Sequence, residues 1–442
     1  LPSLTWISVS PSSRCHADIT DMKYLIPLAL IAVLVTGCST GPETNWYKGN
    51  LHTHSFWSDG DDFPEVIATW YKENGYDFLA ISDHNTIANG EKWIAISPDS
   101  PRLGTFQNYV DQFGEDWVES SALNDTISVR LKTFDEYRSA LAADSFLMIQ
   151  SEEISDGYDG HPIHINATNI QEFIEPAHGN SVLETIQNNV DQVIEQRERL
   201  NTPMFPHVNH PNFVWGIKAH ELAAVDGERF FEVYNGHPAV HNYGDSLRMG
   251  TERMWDVVNA IRLREGRPLM FGLAVDDAHN YQGQSPDKAT TGRGWVVVRA
   301  ESLTPESIVR AMEAGDFYAS TGLTLSDVSF DGQILRVAVA PEGDIRYSIE
   351  FIGTRRDHDT SSEPVFDENG SQIGYTYSRD LGVVLKSVDG PTAEYALVGD
   401  ELYVRAVITS DQPMAHPNTE DAHFQKEVER AWTQPVRPLE VR

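Results

Sequence analysis

The sequence predicts an α/β protein, a barrel of parallel strands followed by a small antiparallel β-sandwich, and three observations point there. From Trp46 to Ser320, strand-like apolar runs alternate with helical patterns, the signature of a parallel α/β architecture. After Ser320-Thr321-Gly322 the apolar period falls to two, as expected for antiparallel strands with one buried face. Histidines and carboxylates recur where the apolar runs of the first region end, and in parallel barrels functional groups gather at the carboxyl ends of strands.

The candidate strands are Lys48 to His54, Asp77 to Asp83, Phe146 to Glu153, Pro162 to Ala167, Met204 to His207, Phe230 to Tyr234 and Leu269 to Val275, with Gly294 to Arg299 as a later one. Seven or eight such strands suit a barrel. Pro64 opens a helix running to Asn74, at the first-turn position where its missing N–H costs nothing. Val182, Ile186, Val190, Val193, Ile194 and Leu200 form an apolar stripe at helical spacing, which reads as core. Met254, Val257, Val258 and Ile261 mark a third helix, and Thr304-Pro305-Glu306 opens a fourth that ends near Gly315.

The segment from Ala88 to Ala143 is too long for a simple connection. Its Phe106, Tyr109, Phe113 and Trp117 recur at helical intervals, so a helical insertion over the barrel mouth is expected, in the place of a lid. Beyond residue 320, Leu335, Val337 and Val339, then Tyr347, Ile349 and Phe351, then Leu402, Val404, Ala406 and Ile408 alternate as sandwich strands. Arg355 to Glu363 reads as a loop. The expected organisation is an upstream segment, leader and tether over 1–45, the barrel over 46–320, and a sandwich domain over 321–442. No catalysis is assigned to that last domain, for which a wall of the substrate cleft, a sugar-binding role and structural packing all fit, packing foremost.

A chain of 442 residues has room for two domains. Its formal charge of −33 argues against broad attraction to nucleic acid. The two cysteines, Cys15 and Cys38, both precede the folded region, which leaves its body neither a disulfide framework nor a thiolate zinc site. From Tyr24 to Val35 the chain is apolar, long enough for a signal-peptide core and too short to span a bilayer. Val35-Thr36-Gly37-Cys38-Ser39 resembles the lipobox of bacterial lipoproteins. That resemblance implies an acylated Cys38 at the mature N-terminus, and Ser39 after it implies the periplasmic face of the outer membrane. Residues 1–21 read as lying upstream of a start at Met22.

His52-Thr53-His54 and Asp277-Ala278-His279 are two words in one grammar: residues two apart on a strand share a face, so each pair offers two ligands to one ion. Sixteen histidines yield about 0.6 His-x-His pairs by chance, so one pair proves little. The recurrence carries more weight: Asp59 in Ser-Asp-Gly, Asp83-His84, Glu152-Glu153, His164, and His207 and His210 all fall where apolar runs end. In order, Leu51-His52-Thr53-His54 with Ser58-Asp59-Gly60, Ile81-Ser82-Asp83-His84-Asn85, Glu153-Ile154-Ser155, His164, His210-Pro211 and Asp277-Ala278-His279 resemble the motifs of the PHP (polymerase and histidinol phosphatase) superfamily of metal-dependent phosphoesterases.

The resemblance covers Trp46 to Ser320 and implies a distorted (β/α)7 barrel with three divalent ions at its mouth. One ion would be held by His52, His54, Glu153 and Asp277. A second would share Glu153 with His164 and His210, and a third would take Asp59, His84 and His279. Asp59 stands where many members have His. His207 and His161 read as structural or supporting residues, and only one of Glu152 and Glu153 can face inward on a strand. Asp83 is expected to orient a ligand or an incoming water. Asn85, Asn235 and His237 lie near the presumed mouth, and Arg293, between Gly292 and Gly294, is a candidate phosphate clamp.

Three divalent ions, three carboxylates and one hydroxide leave such a pocket at about +2, which suits a phosphate monoester dianion. The expected reaction is hydrolysis of a small phosphate ester by a metal-bridged hydroxide at a trinuclear site. A phosphodiesterase or nuclease, and a hydrolase of C–N or C–O bonds on a similar barrel, are the rival enzymes. A ligand-binding lipoprotein with an idle site is a third reading, opposed by the intact ligand set. The thiol-free ligands suit zinc, manganese or iron. Substrate and oligomeric state are not written in these motifs.

Overall fold

Among the described residues, thirteen strands form one sheet. They are β1 (Asn45–Asn50), β2 (Phe78–Ile81), β3 (Leu147–Tyr158), β4 (His161–Thr168), β5 (Phe205–Val208), β6 (Phe230–Asn235), β7 (Phe271–Val275), β8 (Trp295–Ala300), β9 (Phe317–Ser320), β10 (Tyr347–Arg355), β11 (Val383–Asp389), β12 (Glu401–Pro413) and β13 (Val428–Thr433). Their order across the sheet is β7-β6-β5-β4-β3-β2-β1-β8-β9-β13-β12-β10-β11. The computed structural model describes residues 43–141, 146–423 and 428–438. The leader, the tether as far as residue 42 and the Cys38 lipidation site lie outside the described residues.

The all-parallel expectation is corrected in two places. β1/β2, β2/β3, β5/β6 and β6/β7 pair in parallel, but β3/β4 and β4/β5 are antiparallel, as is β1/β8. The cause of the first reversal is local. Asp159 and Gly160 both have positive φ, 49° and 80°, and link Tyr158 to its partner His161 as a two-residue hairpin, for which Asp-Gly is a strong signal.

Nor does the ladder close into a barrel, since β7 is an edge of the sheet. Where β7 ends, the Asp276 carboxylate accepts the N–H groups of Gly292, Arg293 and Gly294 at 3.0, 2.6 and 2.9 Å, taking the place of a strand partner. Just beyond, a single parallel bridge joins Thr53 to Ala278, with the His54 N–H donating to Ala278 O and the Asp277 N–H to His52 O. The two metal-ligand words are therefore direct neighbours.

Helices Pro64–Glu73, Val182–Leu200, Thr251–Arg264 and Pro305–Ala314 match the apolar stripes. Ser181 and Thr304 cap their helices by accepting the N–H groups of Glu184 and Ser307. Ile163, Ile165, Ile186, Val190, Val193, Phe231 and Trp255 share one buried core, and Phe78, Ala80, Leu273, Val296, Ile308 and Met312 another. The 88–143 insertion is mixed rather than helical. A three-stranded antiparallel sheet (Trp93–Ile96, Thr126–Arg130, Ser120–Leu123) accompanies helices Arg102–Phe113 and Phe134–Leu141. Its Tyr109 stacks on Phe63 at 4.0 Å and donates to Glu65, which ties the insertion to the first helix.

The C-terminal strands β9 to β13 continue the same sheet, and a separate sandwich is not established. A small sheet of Leu325–Phe330, Ile334–Val339 and Thr392–Ala396 contributes Leu335, Val337 and Val339 to a core shared with Ile349, Phe351, Val404, Ala406 and Ile408. The expected inward residue Leu402 is half-exposed instead, and β12 is buried on both faces. On its second face, buried Arg405 donates to Asp256 at 2.9 and 2.8 Å, and Tyr403 donates to Asp256 at 2.8 Å, binding β12 to the Thr251–Arg264 helix. Arg405→Met leaves the buried Asp256 without its cation. Urea denaturation is expected to read a loss of about 3–5 kcal/mol, and an unchanged midpoint would refute this role.

Candidate metal centre

Most candidate ligands lie just beyond the end of a strand, with Glu153 inside β3, His164 near the start of β4 and Asp59 in the loop after β1. The nine predicted ligands fall into overlapping clusters, five of the six histidines lying around Glu153. Glu153 is buried on β3, and the period of the strand sends its neighbour Glu152 to the opposite face. There Glu152 accepts the Ile174 N–H, and burial pushes its carboxyl up to about 8. Glu153 Oε1 stands 2.9 Å from His164 Nδ1, 3.4 Å from His210 Nε2 and 3.5 Å from His52 Nε2. Its Oε2 stands 2.7 Å from His84 Nδ1 and 3.4 Å from His54 Nε2, yet receives no well-directed hydrogen bond.

Four overlapping clusters of potential ligand atoms surround that carboxylate: His52, His54 and Asp277; His54, Asp59, His84 and His279; His84, Glu153 and His164; and His52, Glu153 and His210. The first two correspond to the expected first and third ions, with His54 lying close enough to serve either. The expected second set is split, since His164 groups with His84 and His210 with His52. His54 stacks between His84 and His279 at 4.4 and 4.0 Å. Asp59 is the exposed member, 3.5 Å from His279 and 3.6 Å from His84.

The donor set fits a cation. His52 Nε2 and His54 Nε2 face each other at 3.1 Å, with Asp277 Oδ1 3.3 Å from both. Converging lone pairs in a buried pocket are costly unless protons or metal ions lie between them. Without metal, the surrounding charges favour a proton on some of these imidazoles and not on others. Burial opposes protonation of His52, but Asp277, Glu232 and Glu153 outweigh it and hold the imidazole well above its usual value. Burial likewise opposes His84, yet Glu153 and Asp59 push it up to about 9. Burial, His279 and His84 pull His54 down to about 3 despite its bond to Asp277. Burial would raise Glu153, but His84, His164 and His52 keep it well below the carboxylate range.

Several supporting residues were not singled out in the sequence. Glu232 accepts from His52 Nδ1 at 2.6 Å, lies 3.3 Å from His207 Nε2 and accepts the His210 N–H at 2.7 Å. It thereby turns the His52 Nε2 lone pair toward the cluster. Burial would raise it, yet His52 and the bonds from His207 and His52 hold it down to about 2. Its signal was a charge in the middle of the apolar run Phe230-Phe231-Glu232-Val233-Tyr234. Asn209 donates to Glu153 Oε1 at 2.7 Å, and Ser155 Oγ lies 2.5 Å from His84 Nδ1. His207 supports the site through Glu232, and His161 belongs to no ligand cluster.

Asp277 has φ 50°, a left-handed conformation that Asp tolerates better than most residues, and Asn235 donates to it at 3.0 Å. The cavity at this centre, about 300 Å³, is lined by Asp59, His84, Glu153, His164, His210, Asp277 and His279, and by Phe213, His237, Asn280 and Ala289. Among the described residues none of the 88–143 insertion lines it, which gives no support to the place of a lid expected for it.

The Asp83 carboxylate accepts the Ser55 N–H, Ser55 Oγ–H and Ser58 Oγ–H at 2.7, 2.7 and 2.6 Å, so it fixes the loop that carries the candidate ligand Asp59. One expectation fails here. Arg293 is buried and donates to the carbonyls of His416, Gly236, Lys288 and Ser285, so it staples loops together and clamps no phosphate. Asn85 and Asn235 also turn away from the cavity, Asn85 to the Ser155 backbone and Asn235 to Glu232 and Asp277. Of the three residues expected at the mouth, only His237 faces it.

Two outcomes follow. Metal ligands must be deprotonated, so the proton on His84 has to leave when an ion binds. Calorimetry in buffers of different ionisation enthalpy is expected to show proton release at pH 7, and affinity that strengthens as pH rises toward about 9 and weakens in acid. Glu232→Gln, which removes the charge behind His52, is expected to weaken metal binding by roughly 10–100-fold while the circular dichroism spectrum is retained; equal affinity would contradict the role assigned to it.

No family model and no curated protein matches the chain. Among solved structures it is similar to a two-domain protein from Bacteroides vulgatus containing a predicted PHP-like metal-dependent phosphoesterase, at 14% identity over 85% of this chain and 92% of that one, with a TM-score of 0.40. It is also similar to a protein from Bifidobacterium adolescentis assigned as a metal-dependent phosphoesterase (12% identity, 52% and 87% coverage, TM-score 0.27). A third is an amidohydrolase from Chromobacterium violaceum with bound sulfate and no metal (12% identity, 53% and 88% coverage, TM-score 0.28). The structural neighbours of this chain are thus named PHP-like metal-dependent phosphoesterases and an amidohydrolase.

Proposed function

We propose that the protein is a PHP-type metal-dependent phosphoesterase acting on a small phosphate ester at a site for up to three divalent ions. The observation that carries this reading is the meeting of six histidines and three carboxylates, from segments far apart in sequence, in overlapping clusters at one cavity of about 300 Å³ that four of the histidines and all three carboxylates line. Bound zinc, manganese or iron would supply an activated water and neutralise phosphoryl charge there. The chain's own residues do the rest: Glu153 gathers the imidazoles, Glu232 orients His52, and Asp83 holds the loop of Asp59. With Cys38 acylated, the reaction takes place in the cell envelope of a bacterium, at the periplasmic face of the outer membrane.

A diester substrate is the second reading, and the cavity lining favours it in one respect. Among the described residues no lysine or arginine lines the cavity, so substrate charge must be met by the ions. Three divalent ions against Asp59, Glu153 and Asp277 leave about +3, and two leave about +1. The metal count therefore sets the preferred substrate charge. Elemental analysis of natively purified protein, followed by paired monoester and diester assays, tests this: three ions are expected with monoester hydrolysis, two with diester hydrolysis. His52→Ala and Asp277→Ala are each expected to lose bound metal and at least about 10²-fold in turnover. Intact metal content and turnover in both would sink the assignment.

A further inference from the structure

The lining of the cavity contains one imidazole that belongs to none of the ligand clusters, His237. Its ring stands edge-on to His279 at 5.6 Å and to Phe213 at 6.2 Å, half-buried in the wall. The Ala239 N–H donates to its Nδ1 at 3.1 Å. An Nδ1 that accepts carries no proton, so the neutral ring carries its proton on Nε2. That Nε2 donates to none of the described residues. The tautomer is thus fixed by backbone, with its N–H left free.

The turn that presents this ring is held far more firmly than a surface turn requires. The His237 N–H donates to Asn235 Oδ1 at 2.8 Å, and Asn235 Nδ2 is itself bound to Glu232 and Asp277. Gly236 O accepts from Arg293 Nη1 at 2.9 Å and from Asn418 Nδ2 at 3.3 Å. Asn242 closes the turn by exchanging bonds with the Asn235 backbone at 3.0 and 2.9 Å, and its own N–H donates to Glu420 at 2.7 Å. A Cβ on Gly236 would meet Arg293 and the Asp276 carbonyl at 2.8 Å, so the backbone is also sterically confined. Such a supporting set, built from buried polar side chains of four separate segments, is the structural mark of a preorganised contact.

We propose that His237 is a catalytic residue that touches the substrate, its Nε2–H donating a hydrogen bond to a phosphoryl oxygen of the ester. This rests on the phosphoesterase reading. The donor is neutral and does not transfer its proton; it holds the negative charge spread over the phosphoryl oxygens in the transition state, while the electron pair of the breaking phosphorus–oxygen bond departs with the ester oxygen of the leaving group. It also fills the place left by Arg293, whose guanidinium is spent on backbone carbonyls of which Gly236 O, next to His237, is one. Asn280, the other polar non-ligand of the lining, donates to Asp61 and accepts from the Ala289 N–H, which leaves His237 as the donor of choice.

The test compares metal-loaded wild type with His237→Phe, which keeps a ring and removes the donor, and His237→Gln, which restores an N–H near the same place. Metal content by elemental analysis is expected to be equal in all three. The Phe variant is expected to lose about 10²-fold in kcat on whichever phosphoester the wild type hydrolyses, with KM changed less than threefold, and the Gln variant to recover at least tenfold of that. Long-range proton–nitrogen NMR of the wild type is expected to show His237 with Nδ1 unprotonated, and its Nε2 proton to shift when inorganic phosphate is added. Wild-type kcat in the Phe variant, loss of a metal equivalent from it, or an Nδ1-protonated ring would each overturn the proposal while leaving the phosphoesterase reading intact. A metal-loaded wild type that neither hydrolyses any phosphoester nor binds phosphate would bring down the parent reading, and this one with it.

Discussion

The burial of the Glu153 carboxylate among five imidazoles is the constraint on which the rest of the structure depends. A carboxylate with no solvent exposure is costly unless it is matched by positive charge and hydrogen bonds. Glu153 is matched by histidines from the ends of β1, β2 and β5 and from near the start of β4, together with Asn209. No two of those strands can slip in register without pulling a partner away, because a shift of one residue on β3 would exchange Glu153 for Glu152. Register and site are therefore one requirement.

A second tier of buried polar groups transmits that requirement outward. Glu232 holds His52 and the His210 backbone, Asp83 holds the Asp59 loop, and Asp276 substitutes for a missing strand beside β7. Arg293 then links the Asp276 region to the turn of Gly236 and to the segment of His416. Each of these groups would be expensive to bury alone, and each is satisfied by a loop of the site.

The C-terminal strands belong to this scheme, though they supply no candidate ligand. Arg405 and Tyr403 of β12 bind Asp256 of the Thr251–Arg264 helix, and the connection between β12 and β13 sends Asn418 and Glu420 to the turn that presents His237. Among the described residues no lysine or arginine lines the cavity of this acidic chain. Its carboxylates instead hold His52 and His84 toward their protonated forms.

Much of this was legible in the residues alone, and the division follows the range of the forces. Helix boundaries such as Pro64–Glu73 and Pro305–Ala314 are set by proline, caps and apolar spacing within a few residues, so periodicity finds them. Ligand chemistry is also local: His52, His54, Asp277 and His279 announce a metal by residue type and spacing. The hairpin at Asp159-Gly160 was equally visible and outweighs the parallel pattern around it, because turn geometry dictates strand direction. Only the tertiary structure decides the roles of Asp83, Glu232, Arg293 and His237, since a carboxylate, guanidinium or imidazole acts on whatever faces it, and its partners come from up to 180 residues away. Residue identity fixes which interactions are possible; the packing of distant loops fixes which of them are made.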